Sequence, residues 1–215
     1  MNPLVAEANR ILSGQGLDYA ICGGQAVDLF LGYESRRHAD LDVLAYWTER
    51  NQVIQFMQAR GFQVFEMLGD GRAHLISDIA QQRCVKRNIF CVLDDCELVK
   101  TSATEEHGVF RIDFLPTGQT KLNFVEFIFN DKDGRSFLYA RNHDIQRSLD
   151  KAILNRDPIP YLAPELCLLY KSTDTEREGY QHDYDACIAK MDDEQRAWLR
   201  RVLELLYPQG HKWLK

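Results

Sequence analysis

No stretch of this 215-residue chain is apolar for long enough to span a bilayer, and its opening residues lack the apolar core of a signal peptide. The expectation is a cytoplasmic protein with no membrane partner. Cysteine is present but unorganised. Cys22, Cys84, Cys91, Cys96, Cys167 and Cys187 form no CxxC pair and no zinc-ligand array, and several stand inside apolar runs as small hydrophobes. Basic charge is not in excess either: 26 Lys and Arg against 32 Asp and Glu leave a formal net charge of −6. That balance argues against broad, sequence-independent nucleic-acid binding and leaves room for a cationic substrate. Internal repeats and low-complexity segments are missing too.

What remains is ordinary globular material, 45% hydrophobic and 27% charged, enough for one large domain or a catalytic domain with a smaller helical partner. The chemistry concentrates between Ile21 and Ala45. Tyr19 to Cys22 is a short apolar run that stops at Gly23-Gly24, as a buried strand would. Ala26, Val27, Phe30 and Leu31 then recur at helical spacing, so a helix begins directly after the glycines. Asp40 and Asp42 alternate with Leu41 and Val43. In a strand, residues two apart share a face, so both carboxylates project together while the apolar residues point inward. Two such acids suit Mg²⁺, the glycines suit close approach of phosphate to backbone N–H groups, and Arg36, Arg37 and His38 stand nearby to meet further negative charge. An imidazole just ahead of a strand also serves to fix a loop, and His38 reads that way.

Gly23, Gly24, Ala26, Asp28, Gly32, Arg36 or Arg37, His38, Asp40 and Asp42 form a long ordered motif that resembles the nucleotidyltransferase superfamily built on the DNA polymerase β palm. Within it, the motif is similar to the aminoglycoside and lincosamide nucleotidyltransferase branch. The resemblance implies an α/β (α+β) palm with a mixed sheet, followed by a C-terminal helical part. The tail also resembles bacterial relatives in this branch: Ile159 to Glu165, Leu168 to Lys171, Trp198-Leu199, and Pro208 to Leu214. In those relatives a Lys-Asp pair opens a helix, and here the pair falls on His182-Asp183.

Elsewhere the patterns predict an opening helix on Leu4, Ala8, Ile11 and Leu12, closed by Gly14 and Gly16, and a second helix from Thr48 to Gly61. Phe62 to Met67 reads as a strand and Gly69-Asp70-Gly71 as a turn. The middle is the least legible, with a helix over Ile79 to Arg87, short strands at Ile89–Leu93 and Leu98–Thr101, and Asp94-Asp95 as a hairpin loop between them. Val109–Leu115 and Leu122–Phe129 are clearer strands, Asn130 to Gly134 a turn, and Ser136–Ala140 a further strand. After Asn142 the pattern becomes helical, with Pro158 and Pro160 in a linker and helices at Ala163–Lys171, Tyr180–Met191 and Glu194–Tyr207. The expected division is a palm over 1–145 and a helical domain over 146–215.

Asp113 and Glu126 each stand alone in an apolar strand, where an unpaired carboxylate is costly unless it meets metal or a partner. The resemblance implies a third acid on a neighbouring strand. Glu126 is preferred because its strand leads into the Arg141 segment, and Asp113 is the alternative. The implied reaction moves a nucleoside monophosphate from a nucleoside triphosphate, ATP favoured, to the hydroxyl of a small acceptor such as an aminoglycoside- or lincosamide-like antibiotic. Asp40, Asp42 and Glu126 would hold two Mg²⁺ ions; Gly23, Gly24, Arg37 and Lys171 would meet phosphate, and Asp183 the acceptor or metal. A toxin-type enzyme acting on tRNA or protein, and a non-catalytic nucleotide-binding module, are the alternatives.

Overall fold

The protein, a computed structural model describing residues 2–215, begins with a capped helix. The Asn2 side chain accepts from Leu4 N at 2.9 Å, and Pro3 fills the first position of α1 (Pro3–Leu12), where its missing N–H costs nothing. Next come β1 (Tyr19–Ile21), α2 (Gly23–Leu31), β2 (Asp42–Tyr46), α3 (Arg50–Gln58), β3 (Gln63–Gly69) and β4 (Arg72–Leu75). They are followed by β5 (Asn88–Val92), β6 (Val99–Ala103), β7 (Val109–Phe114), β8 (Phe124–Asp133), β9 (Ser136–Leu138) and β10 (Gln146–Ser148). A single turn, α4 (Leu149–Ala152), leads to β11 (Ile153–Arg156) and β12 (Ile159–Leu162). The helices α5 (Pro164–Lys171), α6 (Tyr180–Lys190) and α7 (Asp193–Leu206) complete the chain.

The strands make one mixed sheet in the order β11-β12-β1-β2-β8-β5-β3-β4-β7-β6, with β9 and β10 continuing from the end of β8. β2 runs parallel to β8 and β1 parallel to β12, and the remaining pairs are antiparallel. After Asp42, every residue of β2 is buried, so the centre of the sheet is covered on both faces. The main core joins α1, α2, α3 and the tail helices to this centre; a smaller one around Phe65, Phe90, Ile112 and Phe124 fills the β3–β7 end. In α5, Leu166, Cys167, Leu168 and Leu169 are all buried, which makes it the axis of the tail. Arg147 of β10 ties that axis down, giving its guanidinium to buried Glu165 at 2.7 Å and to Glu194 at 2.7 Å. No helix among the described residues is long and apolar enough to cross a membrane.

Several expectations are corrected. Gly23 and Gly24 form the first turn of α2 rather than preceding it. Ile79 to Arg87 is not a helix: a single 3₁₀ turn spans Ile79–Gln81. The fully buried Glu66 carboxylate takes the backbone N–H groups of Arg83 at 2.5 Å and Cys84 at 2.8 Å, and Cys84 sits at φ +52°, off the helical path. Asp94-Asp95 is not a hairpin loop, because β5 lies between β8 and β3 while β6 pairs with β7 at the sheet's edge. β8 continues to Asp133, so only Gly134 and Arg135 remain for the turn into β9. Residues 146–162 are mainly strands rather than helix and linker, and Pro160 stands within β12. The all-helical stretch begins at Pro164, not at residue 146.

Glu66 also meets His74 Nδ1 at 2.8 Å and Arg50 Nη2 at 3.2 Å. In Glu66→Gln the new amide would face N–H donors and leave Arg50 buried without its counter-charge. The expected cost is roughly 3–5 kcal/mol, read as a lower denaturant midpoint, with faster hydrogen exchange at residues 82–87.

Candidate active site

The two glycines make room for side chains that arrive from the far end of the loop between α2 and β2. Gly23 has φ +64°, and a Cβ there would lie 2.0 Å from Asp42 Oδ2. At Gly24 a Cβ would lie 2.2 Å from His38 Nδ1. Neither position tolerates a larger residue without displacing a carboxylate or an imidazole. Cys22 N donates to Asp42 O at 2.9 Å, fixing the end of β1 against the start of β2, and gives α2 no side-chain cap.

Parallel pairing then sets Asp42 directly beside Glu126. Leu41 O accepts from Glu126 N at 3.2 Å, and Asn88 Nδ2 donates to Glu126 Oε1 at 2.8 Å. Asp40 lies in the bend two residues before Asp42. Burial, then the negative charges of Glu126 and Asp40, pushes the Asp42 carboxyl well above its usual range. Burial outweighs the Asn88 hydrogen bond at Glu126 and, with the charge of Asp40, pushes that carboxyl up to about 7. Neither Asp42 nor Glu126 has a cation within ion-pair distance among the described residues. Among those residues no three Asp, Glu, His or Cys side chains converge to enclose a metal. Two adjacent, uncompensated carboxylates with open space beside them nevertheless fit Mg²⁺, which takes one or two carboxylates and fills its other positions with water and phosphate.

That space is a cleft of about 620 Å³ between the sheet and the tail helices. Asp42, Glu126, Leu44 and Ile128 form its floor; Lys86, Arg87 and Asn88 line one side, and Arg141, Tyr170, Lys171 and Tyr180 another. Gly23 reaches the cleft, but Gly24 does not. Lys171 Nζ lies 2.9 Å from Asp183 and 4.2 Å from the centre of the Tyr180 ring.

The remaining candidates stand elsewhere. Asp183 is fully buried and gives its oxygens to Arg36 Nε at 2.8 Å, Arg36 Nη2 at 2.9 Å and Lys171. It stands behind the cleft wall, holding Lys171 in place. Gly179, at φ +82°, leaves the space through which Arg36 reaches it. His182 is exposed, so the cations beside Asp183 come from Arg36 and Lys171. Arg37 is exposed and lies against Gly118, outside the cleft lining. His38 Nε2 meets Asp28 at 2.8 Å, and Asp28 also accepts from Ser35, so this trio braces the loop. Asp113 is exposed on β7, four strands from β8, and pairs with Arg111 at 3.0 Å. Asn88, Tyr170, Tyr180 and Arg177 carry little functional signal in the sequence. Arg177 is exposed, and its charge draws down the carboxyls of both Asp42 and Glu126. A polar residue opening the apolar run Ile89–Val92 was the one available signal for Asn88.

The family model for aminoglycoside-2''-adenylyltransferase matches residues 4–114, just over half of the chain. The chain belongs to this family. It is therefore a nucleotidyltransferase. The matched segment holds both glycines, Asp40 and Asp42, whereas Glu126 lies beyond it and is placed by strand register. Among solved structures, the lincosamide antibiotic adenylyltransferase LnuA, bound to lincomycin, is 15% identical with a TM-score of 0.52. That match covers 89% of this chain and 98% of LnuA. The solution structure of the antibiotic-resistance factor ANT(2'')-Ia is 12% identical with a TM-score of 0.51, over 96% of this chain and 92% of that one. At these identities the agreement is one of fold, and it runs through the palm and the tail alike. No curated protein matches the chain in sequence.

The raised carboxyls of Asp42 and Glu126 have a consequence for stability. Because the folded-state carboxyls titrate higher than in the unfolded chain, the native protein binds more protons between the ordinary carboxylate range and about 7. Without metal, stability is therefore fully present at low pH within the folded range and declines as pH rises through that window. Melting in EDTA between pH 5 and 8 should show this decline; Asp42→Asn should flatten it, and Mg²⁺ should raise Tm most at pH 8 and only in the wild type.

Proposed function

We propose that this chain transfers a nucleoside monophosphate from a nucleoside triphosphate, ATP favoured, to a hydroxyl of a small acceptor, with antibiotics of the aminoglycoside or lincosamide kind as the first candidates. The observation that carries this reading is the in-register pair Asp42 and Glu126 on the floor of a cleft rimmed by Lys86, Arg87, Arg141 and Lys171. Asp42 and Glu126 would hold Mg²⁺, with Asp40 adding its negative charge beside them, and the ion's charge would neutralise the triphosphate and the departing pyrophosphate. Gly23 brings backbone close to the phosphates, and Lys171, held by Asp183, presents its ammonium to them. The acceptor oxygen bonds to the α-phosphorus as the bond from that phosphorus to the bridging oxygen breaks, and pyrophosphate leaves. Glu126 Oε1 is occupied by Asn88, so Oε2 is the atom that accepts the hydroxyl proton.

The toxin-type and non-catalytic readings are not favoured. The family model is that of an aminoglycoside adenylyltransferase, and Asp42 and Glu126 stand in register on neighbouring strands, which supports the transferase reading.

Isothermal titration of Mg²⁺-ATP and Mg²⁺-GTP tests the donor half. Binding is expected in the wild type and its loss in Asp40→Ala/Asp42→Ala; a folded wild type that binds no triphosphate would sink the reading. Pyrophosphate release tests the acceptor half: Glu126→Gln should slow it by about 10²- to 10⁴-fold while donor binding persists.

A further inference from the structure

We infer that Arg177, held beside the Tyr180 ring, meets the phosphates of the donor nucleotide together with Lys171, and that the segment around His211 and Trp213 positions it there. The inference rests on the proposed transfer reaction and adds a residue to its donor half. Arg177 lies in the connection between α5 and α6, where its N donates to Asp174 O at 3.1 Å and its O accepts from Tyr180 N at 3.1 Å. This turn brings the guanidinium carbon to 5.2 Å from the centre of the Tyr180 ring, the same ring that Lys171 Nζ meets at 4.2 Å. Tyr180 lines the cleft, so the two cations share one wall of it.

Their surroundings differ. Lys171 is buried and shares Asp183 with Arg36. Arg177 is exposed, and among the described residues it has no carboxylate within ion-pair distance. The acid next to it, Glu176, turns to Lys212 at 3.1 Å. Arg177 is nevertheless close enough to the floor for its charge to draw down the carboxyls of both Asp42 and Glu126. A triphosphate whose metal sits on those acids therefore brings its oxygens into the field of this cation. The guanidinium fork matches phosphate oxygens, and no acid competes for it. The connection that carries Arg177 is itself fixed on both sides. His211 Nε2 meets Ser172 O at 2.9 Å, Trp213 Nε1 donates to Gln181 Oε1 at 3.0 Å, and Trp213 stacks on Tyr184 with ring centres 4.5 Å apart. These contacts bracket residues 172–181, so the segment from the end of α7 aims the cation without touching the nucleotide.

Isothermal titration of Mg²⁺-ATP into the full chain at low salt tests this. Wild type is measured first, and its failure to bind would sink the transfer reading and this inference with it. If it binds, Arg177→Met, which keeps packing against Tyr180 without the charge, should weaken binding about tenfold or more, and Arg177→Lys by less. The gap between wild type and Arg177→Met should narrow at about 0.5 M salt, as a charge contact at an exposed site requires. Arg177→Met binding as tightly as wild type, or a gap that salt leaves unchanged, would overturn the role of Arg177 while the transfer reading stands. His211→Ala supplies the second arm. It should weaken binding in the wild type and add no further loss in Arg177→Met. An equal loss in both backgrounds would overturn the positioning role.

Discussion

Two carboxylates side by side on parallel strands repel each other, and much of the structure is arranged so that Asp42 and Glu126 cannot move apart. β2 is buried on both faces, so it cannot slide, and the Leu41 carbonyl holds Glu126 by its backbone. Gly23 is bare on the side where Asp42 rests, and Asn88 offers a neutral donor to Glu126. A pair of acids left this exposed to mutual repulsion is a store of electrostatic cost that ligand binding can relieve. In the proposed reaction, stability and function would oppose one another at the same atoms.

Buried charge is used differently outside the cleft. Asp183 joins Arg36 of the palm loop to Lys171 of α5, Glu165 joins β10 to α5 and α7, and Glu66 gathers Arg50, His74 and the 83–84 backbone. Each centre connects segments far apart in sequence, and each has its oxygens filled. Such pairs add little net stability over apolar packing, but losing one partner strands the other. Their effect is positional. Lys86 and Arg87 follow the Glu66 anchor, and Lys171 hangs from Asp183, so the cleft's cations are aimed from behind.

Local signals in the chain reached the floor of the site better than its walls. Asp40, Asp42 and the glycines stand within one short stretch, and Glu126 betrays itself as a lone acid among Phe and Val. The tail helices announce their ends through Pro164 and through the Asp192–Gln195 capping box. Asp183 gives no such hint, because a buried aspartate and a surface one look alike until Arg36 arrives from 147 residues away. The 79–87 segment has helical spacing that Glu66 overrides from another strand. Gln146-Arg147-Ser148 and Ile159 to Leu162 are too short and mixed for alternation to show, and only the partner strands make them part of a sheet. Arg177 lies in a connection between helices, where no periodic pattern marks it.

The pairing of β1 with β12 bears on how the chain emerges from the ribosome. Ile21 waits for Tyr161, and until that residue is synthesised one edge of β1 stays bare while the opposite edge holds the strand that carries Asp42. Long-range closures of this kind are slow, and an unpaired strand edge invites contact with other chains. The N-terminal half, which carries the most recognisable sequence, thus depends for its shelter on residues made some 140 positions later.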